Sequence, residues 1–296
     1  MCLHPIRATK QNPSDGGRPK VDPEGDLQIP CGQCHECIML RARHWGTRAK
    51  HEISCHESSC FLTLTYDDEH LPSPLDFKRP FQLFIKKLRK KLKKKLMYMV
   101  SHELGGTTFR PHHHCILFGH SYDDLIFHKK TKSGENIYLS KTLDSEWQNG
   151  YSSVGTANEK TAFYIAKYAL KGKKHDVVMS DGSIIQISDL FDCSKRPAIG
   201  YNFLLKNYKS IVQSGEPLPR YYQKKLETIS PEYLQIYQNN MLTNFRTRTA
   251  YELYAKFKIN LQENENKSTF RIDTISKKQI NFNSKRLKDN IVPDNS

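Results

Sequence analysis

The chain has 296 residues, with 46 Lys and Arg against 31 Asp and Glu, which gives a formal net charge of +15. No run approaches the about 18 apolar residues of a membrane span, so we expect no membrane protein. The start lacks the basic and apolar segments of a secretory signal, so export is not expected. Eight cysteines in such a chain favour a reducing cytosol, and the basic balance favours a polyanionic partner, most often nucleic acid.

The N-terminal third predicts an arm followed by a helix, a strand and a second helix. Residues 1–30 are rich in Pro, Gly, Asp and Lys, which predicts an extended arm. A cysteine cluster then leads into a helix over about 38–52. Residues 61–66 alternate apolar with hydroxylated side chains, which predicts a strand. Apolar residues recur every three or four positions over 81–96, which predicts an amphipathic helix.

The middle of the chain predicts a hairpin and a third helix. Residues 97–102 and 114–118 are expected to pair as strands across a Gly-Gly turn, and 160–171 to form a helix. The basic, Tyr-rich stretch 172–260 is expected to be helical in part. This order predicts an α+β fold in which helices flank an antiparallel sheet.

Three regions are expected along the chain. They are a Cys-containing N-terminal arm and helix over 1–52, a central domain over 53–225, and a helical extension with a disordered basic tail over 226–296.

A histidine cluster at the third strand predicts a metal site. Residues i and i+2 of a strand point to the same side, so His112 and His114 project together while His113 faces away. Glu103 on the preceding strand could reach the same cation across the hairpin. A His/His/carboxylate set with open positions suits Mg²⁺ or Mn²⁺ bridging to a substrate phosphate better than a closed zinc site.

The helix over 160–171 carries two tyrosines and two lysines at regular spacing. Tyr164 and Tyr168 are one turn apart on one face, and Lys167 and Lys171 each follow a tyrosine by three residues. A phenol with a pKa of about 10 is a poor nucleophile at neutral pH unless a cation lowers that value. A neighbouring lysine, with a metal polarising the phosphate, would supply this activation. The alternative is an amphipathic helix that uses Tyr as half-buried filler.

Together the two clusters favour phosphoryl transfer. A tyrosinate would attack a phosphodiester and give a 5′-phosphotyrosine and a free 3′-hydroxyl, with a metal withdrawing charge from the phosphate. The ester is exchanged rather than hydrolysed, so a hydroxyl can reverse the step without ATP. Two tyrosines one turn apart suit alternating cleavage and rejoining.

The cysteines fall into two groups. Cys31, Cys34 and Cys37, with Cys2 as fourth ligand, could close a structural tetrahedral Zn²⁺ site; free buried thiols are the alternative. The other four cysteines are interpreted as small core residues: Cys55, Cys60, Cys115 and Cys193.

A run of basic side chains covers the polar face of the helix over 81–96. In a chain of this charge, such a face favours a groove that follows a phosphate backbone. The expected DNA-binding residues are Lys86, Lys87, Lys90, Lys91, Lys94 and Arg110.

These motifs, in this order, resemble the replication initiation proteins of the gokushovirus-like branch of the Microviridae, within the HUH endonuclease superfamily. The resemblance covers about residues 1–225. The blocks that carry it are Met1-Cys2-Leu3 with the Cys31–Cys37 cluster, Phe61–Pro72, Glu103–Phe118, Tyr164–Lys171 and Ser194–Gly200. The family pattern has a bulky apolar or aromatic residue where this chain has His113, which leaves open which two of the three histidines coordinate.

The resemblance implies nicking of single-stranded DNA at a phage origin during rolling-circle replication, with Mg²⁺ or Mn²⁺, in the cytoplasm of a bacterial host. By position, His112, His114 and Glu103 would be metal ligands, and Tyr164 and Tyr168 the nucleophiles. Host helicase and polymerase are the expected protein partners, since the sequence has no Gly-rich phosphate loop for ATP-driven unwinding. The alternatives are another HUH enzyme, such as a relaxase or transposase, and a non-catalytic single-stranded DNA-binding protein.

Overall fold

The structure is a computed structural model that describes residues 2–11, 19–73, 75–105, 110–172, 174–178 and 182–243. The strands are β1 (Ile6–Thr9), β2 (Lys20–Val21), β3 (Leu27–Ile29), β4 (Ser59–Thr65), β5 (Met97–Leu104), β6 (Pro111–Phe118), β7 (Ile126–Lys130), β8 (Asn136–Leu139), β9 (Ser152–Thr156), β10 (Lys174–Val178), β11 (Ile184–Ser188) and β12 (Leu190–Cys193). The helices are α1 (His35–Ile53), α2 (Arg79–Leu92), α3 (Lys141–Trp147), α4 (Glu159–Lys171), α5 (Tyr201–Gln213) and α6 (Arg220–Ile229).

A seven-stranded antiparallel sheet organises the described residues, with strand order β12-β5-β6-β4-β9-β8-β7. β5 and β6 form the expected hairpin, in a register that sets Glu103 opposite His112 and Ser101 opposite His114. β4 lies on the other side of β6 and sets Thr63 opposite His114. The predicted α+β class, with helices flanking an antiparallel sheet, is confirmed.

The two faces of the sheet are covered by different helices, because side chains alternate along each strand. α2 covers one face with an apolar stripe that packs on a largely aromatic core. This core includes Leu62, Leu64, Phe81, Phe84, Leu88, Cys115, Leu117 and Trp147. α4 and α1 cover the other face, where Ala42 and Ala49 of α1 and Ala162 of α4 pack with Met99 and Ile116. Small side chains let these two helices approach each other and the sheet closely.

The predicted boundaries differ from the observed ones where tertiary structure decides. β6 begins at Pro111 rather than at His114, so all three histidines lie inside a paired strand. α2 ends at Leu92 rather than at Leu96, because Lys93 adopts a left-handed backbone with φ 50°. The expected arm forms a small sheet of order β2-β1-β3, since its pairing joins segments that no local pattern relates.

Residues 172–260 are helical only in part, as expected, but they also contain β10 and β11, which pair with each other, and β12, which extends the main sheet beside β5. Among the four cysteines expected in the core, Cys60 and Cys115 are buried and Cys193 is half-buried. Cys55 is exposed in the turn after α1, so that expectation is wrong for this residue.

The chain divides into two compact units, Met1–Leu234 and Gln235–Ser296. In the second unit, residues 235–243 are helical, and the tail expected to be disordered lies outside the described residues. The division into 1–52, 53–225 and 226–296 stays a prediction. Among the described helices, none has the length and apolar character needed to cross a bilayer.

Candidate active site

Glu103, His112 and His114 meet on the face of the sheet that α4 covers. Each offers one ligand atom, and these atoms lie within 4.8 Å of one another. His112 Nε2 is 3.8 Å from a carboxylate oxygen of Glu103, and the two imidazole rings lie 5.1 Å apart between centroids. The three predicted ligands are therefore together in space, because the hairpin register places them on adjacent strands and one face. That they bind a cation stays a prediction.

Hydrogen bonds orient each of these side chains. His112 Nδ1 donates to the carbonyl of Arg110 at 3.3 Å, which leaves Nε2 with the lone pair in the neutral ring. His114 Nδ1 is 3.2 Å from the Thr63 hydroxyl, and the Ser101 hydroxyl donates to Glu103 at 2.5 Å. Second partners of this kind fix the ring tautomer and orientation in metal sites.

The electrostatics of the cluster favour a bound cation. Burial, with His112 adding to it, lowers the pKa of His114 to about 3, so this imidazole is neutral near pH 7 and free of a competing proton. Burial is also the main cause that raises the pKa of Glu103, with Asp189 adding to it while Ser101 and His112 oppose it. A buried carboxylate beside neutral imidazoles lacks a counter-charge, and a divalent cation would supply one. The donor set thus fits Mg²⁺ or Mn²⁺.

His113 points to the opposite face of the sheet and takes no part in this cluster. It is fully buried, with Nε2 2.7 Å from the Tyr66 hydroxyl and Nδ1 2.9 Å from Nδ1 of His102. Aromatic neighbours surround it, including Phe81 and Trp147. His113 therefore fills the core position where the resembling family has a bulky residue, and His112 and His114 are the pair that share a site.

Tyr164 lies next to the histidines. It projects from α4, and its ring meets the His114 ring edge-on at 5.2 Å between centroids. The side chain is 37% exposed, which leaves room for a substrate to reach it. Lys167 is half-buried one turn further along the helix. The side chains of Tyr168 and Lys171 lie outside the described part of the structure.

The lysine-rich surface lies on the far side of the sheet. α2 packs on the face that carries His113 and Cys115, and its exposed face bears Lys86, Lys87 and Lys90. Two other predicted DNA-binding lysines have partners within the chain: Lys91 contacts Glu146 at 2.7 Å and Lys94 donates to the Gly119 carbonyl at 2.6 Å.

Arg110 precedes β6, near His112. It donates to the Tyr66 carbonyl at 2.8 Å and pairs with Asp68. A role for Arg110 and the lysines in DNA binding stays a prediction.

Several residues of the site were not found from the sequence. Thr63 and Ser101 touch the metal-site side chains, and Asp189 accepts hydrogen bonds from the Leu104 amide and from buried His175, both at 3.1 Å. Hydroxylated residues at alternate positions of β4 were visible in the sequence. Only the strand register shows which of them faces a histidine.

The four predicted zinc ligands also meet. The sulfur atoms of Cys2, Cys31, Cys34 and Cys37 lie within 4.8 Å of one another at the start of α1. This cluster is separate from the histidine site, which is built on β5 and β6.

Comparisons with known proteins agree with this arrangement. Residues 59–173, which include β4, the hairpin and α4, match the family of replication-associated protein ORF2. Over 251 residues the chain is 33% identical to replication-associated protein VP4 of Bdellovibrio phage phiMH2K, which covers 78% of each chain. It is 28% identical to replication-associated protein ORF2 of Spiroplasma virus 4, over 67% of this chain and 68% of that one.

A third relative, replication-associated protein ORF4 of Chlamydia phage 1, is 27% identical over 77% of this chain and 62% of its own length. No solved structure matches the chain. The chain belongs to the family of phage replication-associated proteins, and the expected likeness to the replication proteins of the Microviridae is confirmed.

Proposed function

We propose that this protein starts rolling-circle replication of a phage by nicking single-stranded DNA at the origin and later rejoining it. Its relatives are replication-associated proteins of phages, which supports a role in phage replication. The observation that carries the chemistry is the meeting of Glu103, His112 and His114 within 4.8 Å, with the Tyr164 ring 5.2 Å from that of His114.

Each of these residues has a distinct task. His112, His114 and Glu103 would hold Mg²⁺ or Mn²⁺, which when bound withdraws negative charge from the phosphodiester. The strand pairing holds the three side chains rigidly, so the phosphate is placed against Tyr164 with little loss of freedom in the reaction.

Tyr164 is the nucleophile of the first transfer. Its phenol loses a proton, and the oxygen attacks phosphorus while the bond from phosphorus to the 3′-oxygen breaks. The leaving 3′-oxygen gains a proton and ends as a free hydroxyl, and the 5′-phosphate stays on the tyrosine. Lys167, on the same helix, supplies positive charge near the phenol. Tyr168 would take the second transfer, which needs another nucleophile because the first is occupied.

A transfer experiment tests this function. Overlapping single-stranded oligonucleotides that tile the genome encoding the chain are incubated with the protein and Mn²⁺. An oligonucleotide labelled at its 3′ end should pass its label to the protein, and one labelled at its 5′ end should release a shortened fragment with a 3′-hydroxyl. The double variant Tyr164→Phe with Tyr168→Phe should form no adduct while keeping DNA binding.

The outcomes separate the alternatives. An adduct that forms only on sequences outside the phage genome would indicate a relaxase or transposase. Tight binding of single strands with no adduct, across Mg²⁺ and Mn²⁺ concentrations, would refute the proposal and favour a non-catalytic binding protein.

A further inference from the structure

The cysteine cluster at the N-terminus has the geometry of a metal site. Cys2 Sγ lies 3.5 Å from Cys31 Sγ and 3.8 Å from Cys34 Sγ. Four thiolates around one zinc ion lie about 3.8 Å apart, since zinc–sulfur bonds are about 2.3 Å and the coordination is tetrahedral. Cys37 completes the set from the first turn of α1. The sulfurs are thus spaced for a single ion, and a multi-iron cluster would need them further apart.

Backbone structure brings these cysteines together from distant parts of the chain. β1 and β3 pair antiparallel, with Ile6 opposite Ile29. Continuing this register brings Cys2 opposite the segment that contains Cys31 and Cys34. Gly32 between them has φ 76°, a conformation that glycine adopts without strain and that turns the chain tightly between two ligands.

The surroundings favour thiolates over thiols. The amide of Cys31 donates to Cys2 Sγ, and the amide of Cys34 donates to Cys31 Sγ, both at 3.3 Å. Amide donors stabilise negative charge on sulfur, as does the N-terminus of a helix. Cys34 is the residue just before α1 and Cys37 lies in its first turn. Several thiolates this close would repel one another without a cation between them.

The small sheet built from β1, β2 and β3 needs such a tie. Its strands are 4, 2 and 3 residues long, and Ala8 is the one residue of these strands that is buried. Short strands with this little apolar burial do not hold together unaided, and a structural metal is one of the ways small units are stabilised.

We propose that Cys2, Cys31, Cys34 and Cys37 bind a structural Zn²⁺ ion that fixes the N-terminal sheet to the start of α1. α1 in turn packs along α4, which carries Tyr164. The ion therefore anchors the N-terminal segment to the helix pair that covers the histidine site. This proposal is independent of the nicking chemistry, because the metal is measured without DNA.

Metal analysis of the reduced full-length protein tests the proposal. We expect about one zinc ion per chain with four sulfur ligands at about 2.3 Å by X-ray absorption at the zinc edge. Replacement by Co²⁺ should give thiolate-to-cobalt charge-transfer bands and the visible bands of a tetrahedral ion. Cys34→Ser should lose the metal, whereas Cys55→Ser, which removes an exposed cysteine outside the cluster, should keep it.

Two further measurements keep the test independent of variant folding. The double variant His112→Ala with His114→Ala should keep its zinc, which separates this site from the histidine site. Chelation of the wild-type protein should speed amide hydrogen exchange in residues 6–9 and 27–29 and leave β4 to β6 unchanged. Zinc near zero in reduced protein, iron in its place, or ligation by nitrogen or oxygen would overturn the proposal, as would equal metal loss from Cys55→Ser.

Discussion

The hydroxyl of Thr63 gives the sharpest test of how the histidine site is built. It lies 3.2 Å from Nδ1 of His114 and fixes which ring nitrogen faces the cation. Thr63→Val removes this hydrogen bond and keeps the shape of the side chain. Loss of such an outer partner costs about 10–100-fold in metal affinity. Because 3.2 Å is the long end of the hydrogen-bond range, we expect the lower limit, about tenfold or 1.4 kcal/mol.

The assay is direct titration with Mn²⁺, with free Mn²⁺ followed by electron paramagnetic resonance. Thr65→Val is the matched control, since Thr65 lies on the same strand and face but its hydroxyl donates to the Tyr151 carbonyl at 3.1 Å. We expect Thr65→Val to bind Mn²⁺ as the wild type does, and Thr63→Ser to restore most of the affinity. Equal Mn²⁺ affinity in Thr63→Val and wild type would refute the reasoning, as would an equal loss in Thr65→Val.

Three further predictions concern charge. Glu103→Gln should abolish Mn²⁺ binding while single-stranded DNA binding persists. Replacing Lys86, Lys87 and Lys90 by Gln should weaken binding of long DNA and lower its salt dependence, with nicking of a short oligonucleotide unchanged, because α2 lies on the far face. Burial lowers the pKa of His102 to about 3, so stability should fall below pH 6.5, by about 2 kcal/mol at pH 5.

The sign of the pH effect follows from proton uptake. Between pH 6.5 and 3 the unfolded chain binds a proton at His102 that the folded chain does not, so acid favours unfolding. Denaturant unfolding at several pH values measures this, and His102→Phe should reduce the slope of stability against pH, whatever its effect at neutral pH. An unchanged slope would contradict the assignment.

Gel-shift titrations against salt test the lysines, and an unchanged salt slope in the triple variant would remove α2 from the DNA-binding surface. For Glu103→Gln, Mn²⁺ binding equal to that of the wild type would exclude Glu103 as a ligand.

The sequence predicted the parts of the site that depend on local periodicity. His112 and His114 share a face because strand side chains alternate, and the regular spacing of apolar residues identified α2 and α4. Glu103 was found because a hairpin needs only a short turn. Thr63 and Ser101 were not found, because the register of β4 and β5 against β6 is set by packing across the whole sheet.

The small N-terminal sheet and the position of α2 escaped for the same reason. Pairing of β1 with β3 joins segments separated by Pro- and Gly-rich chain, and an amphipathic pattern does not say which face of a sheet a helix covers. The lysines of α2 were therefore correctly identified as one surface but not as lying opposite His112.

The most direct test of the central claim is to find where the DNA is joined. Protein incubated with a cleavable oligonucleotide and Mn²⁺ is digested with protease and nuclease, and mass spectrometry locates the residual nucleotide. We expect a 5′-phosphate ester on Tyr164 or Tyr168, and none in the variant that lacks both phenols. Attachment to another residue, such as the exposed Tyr151, or cleavage with no covalent product, would contradict the account.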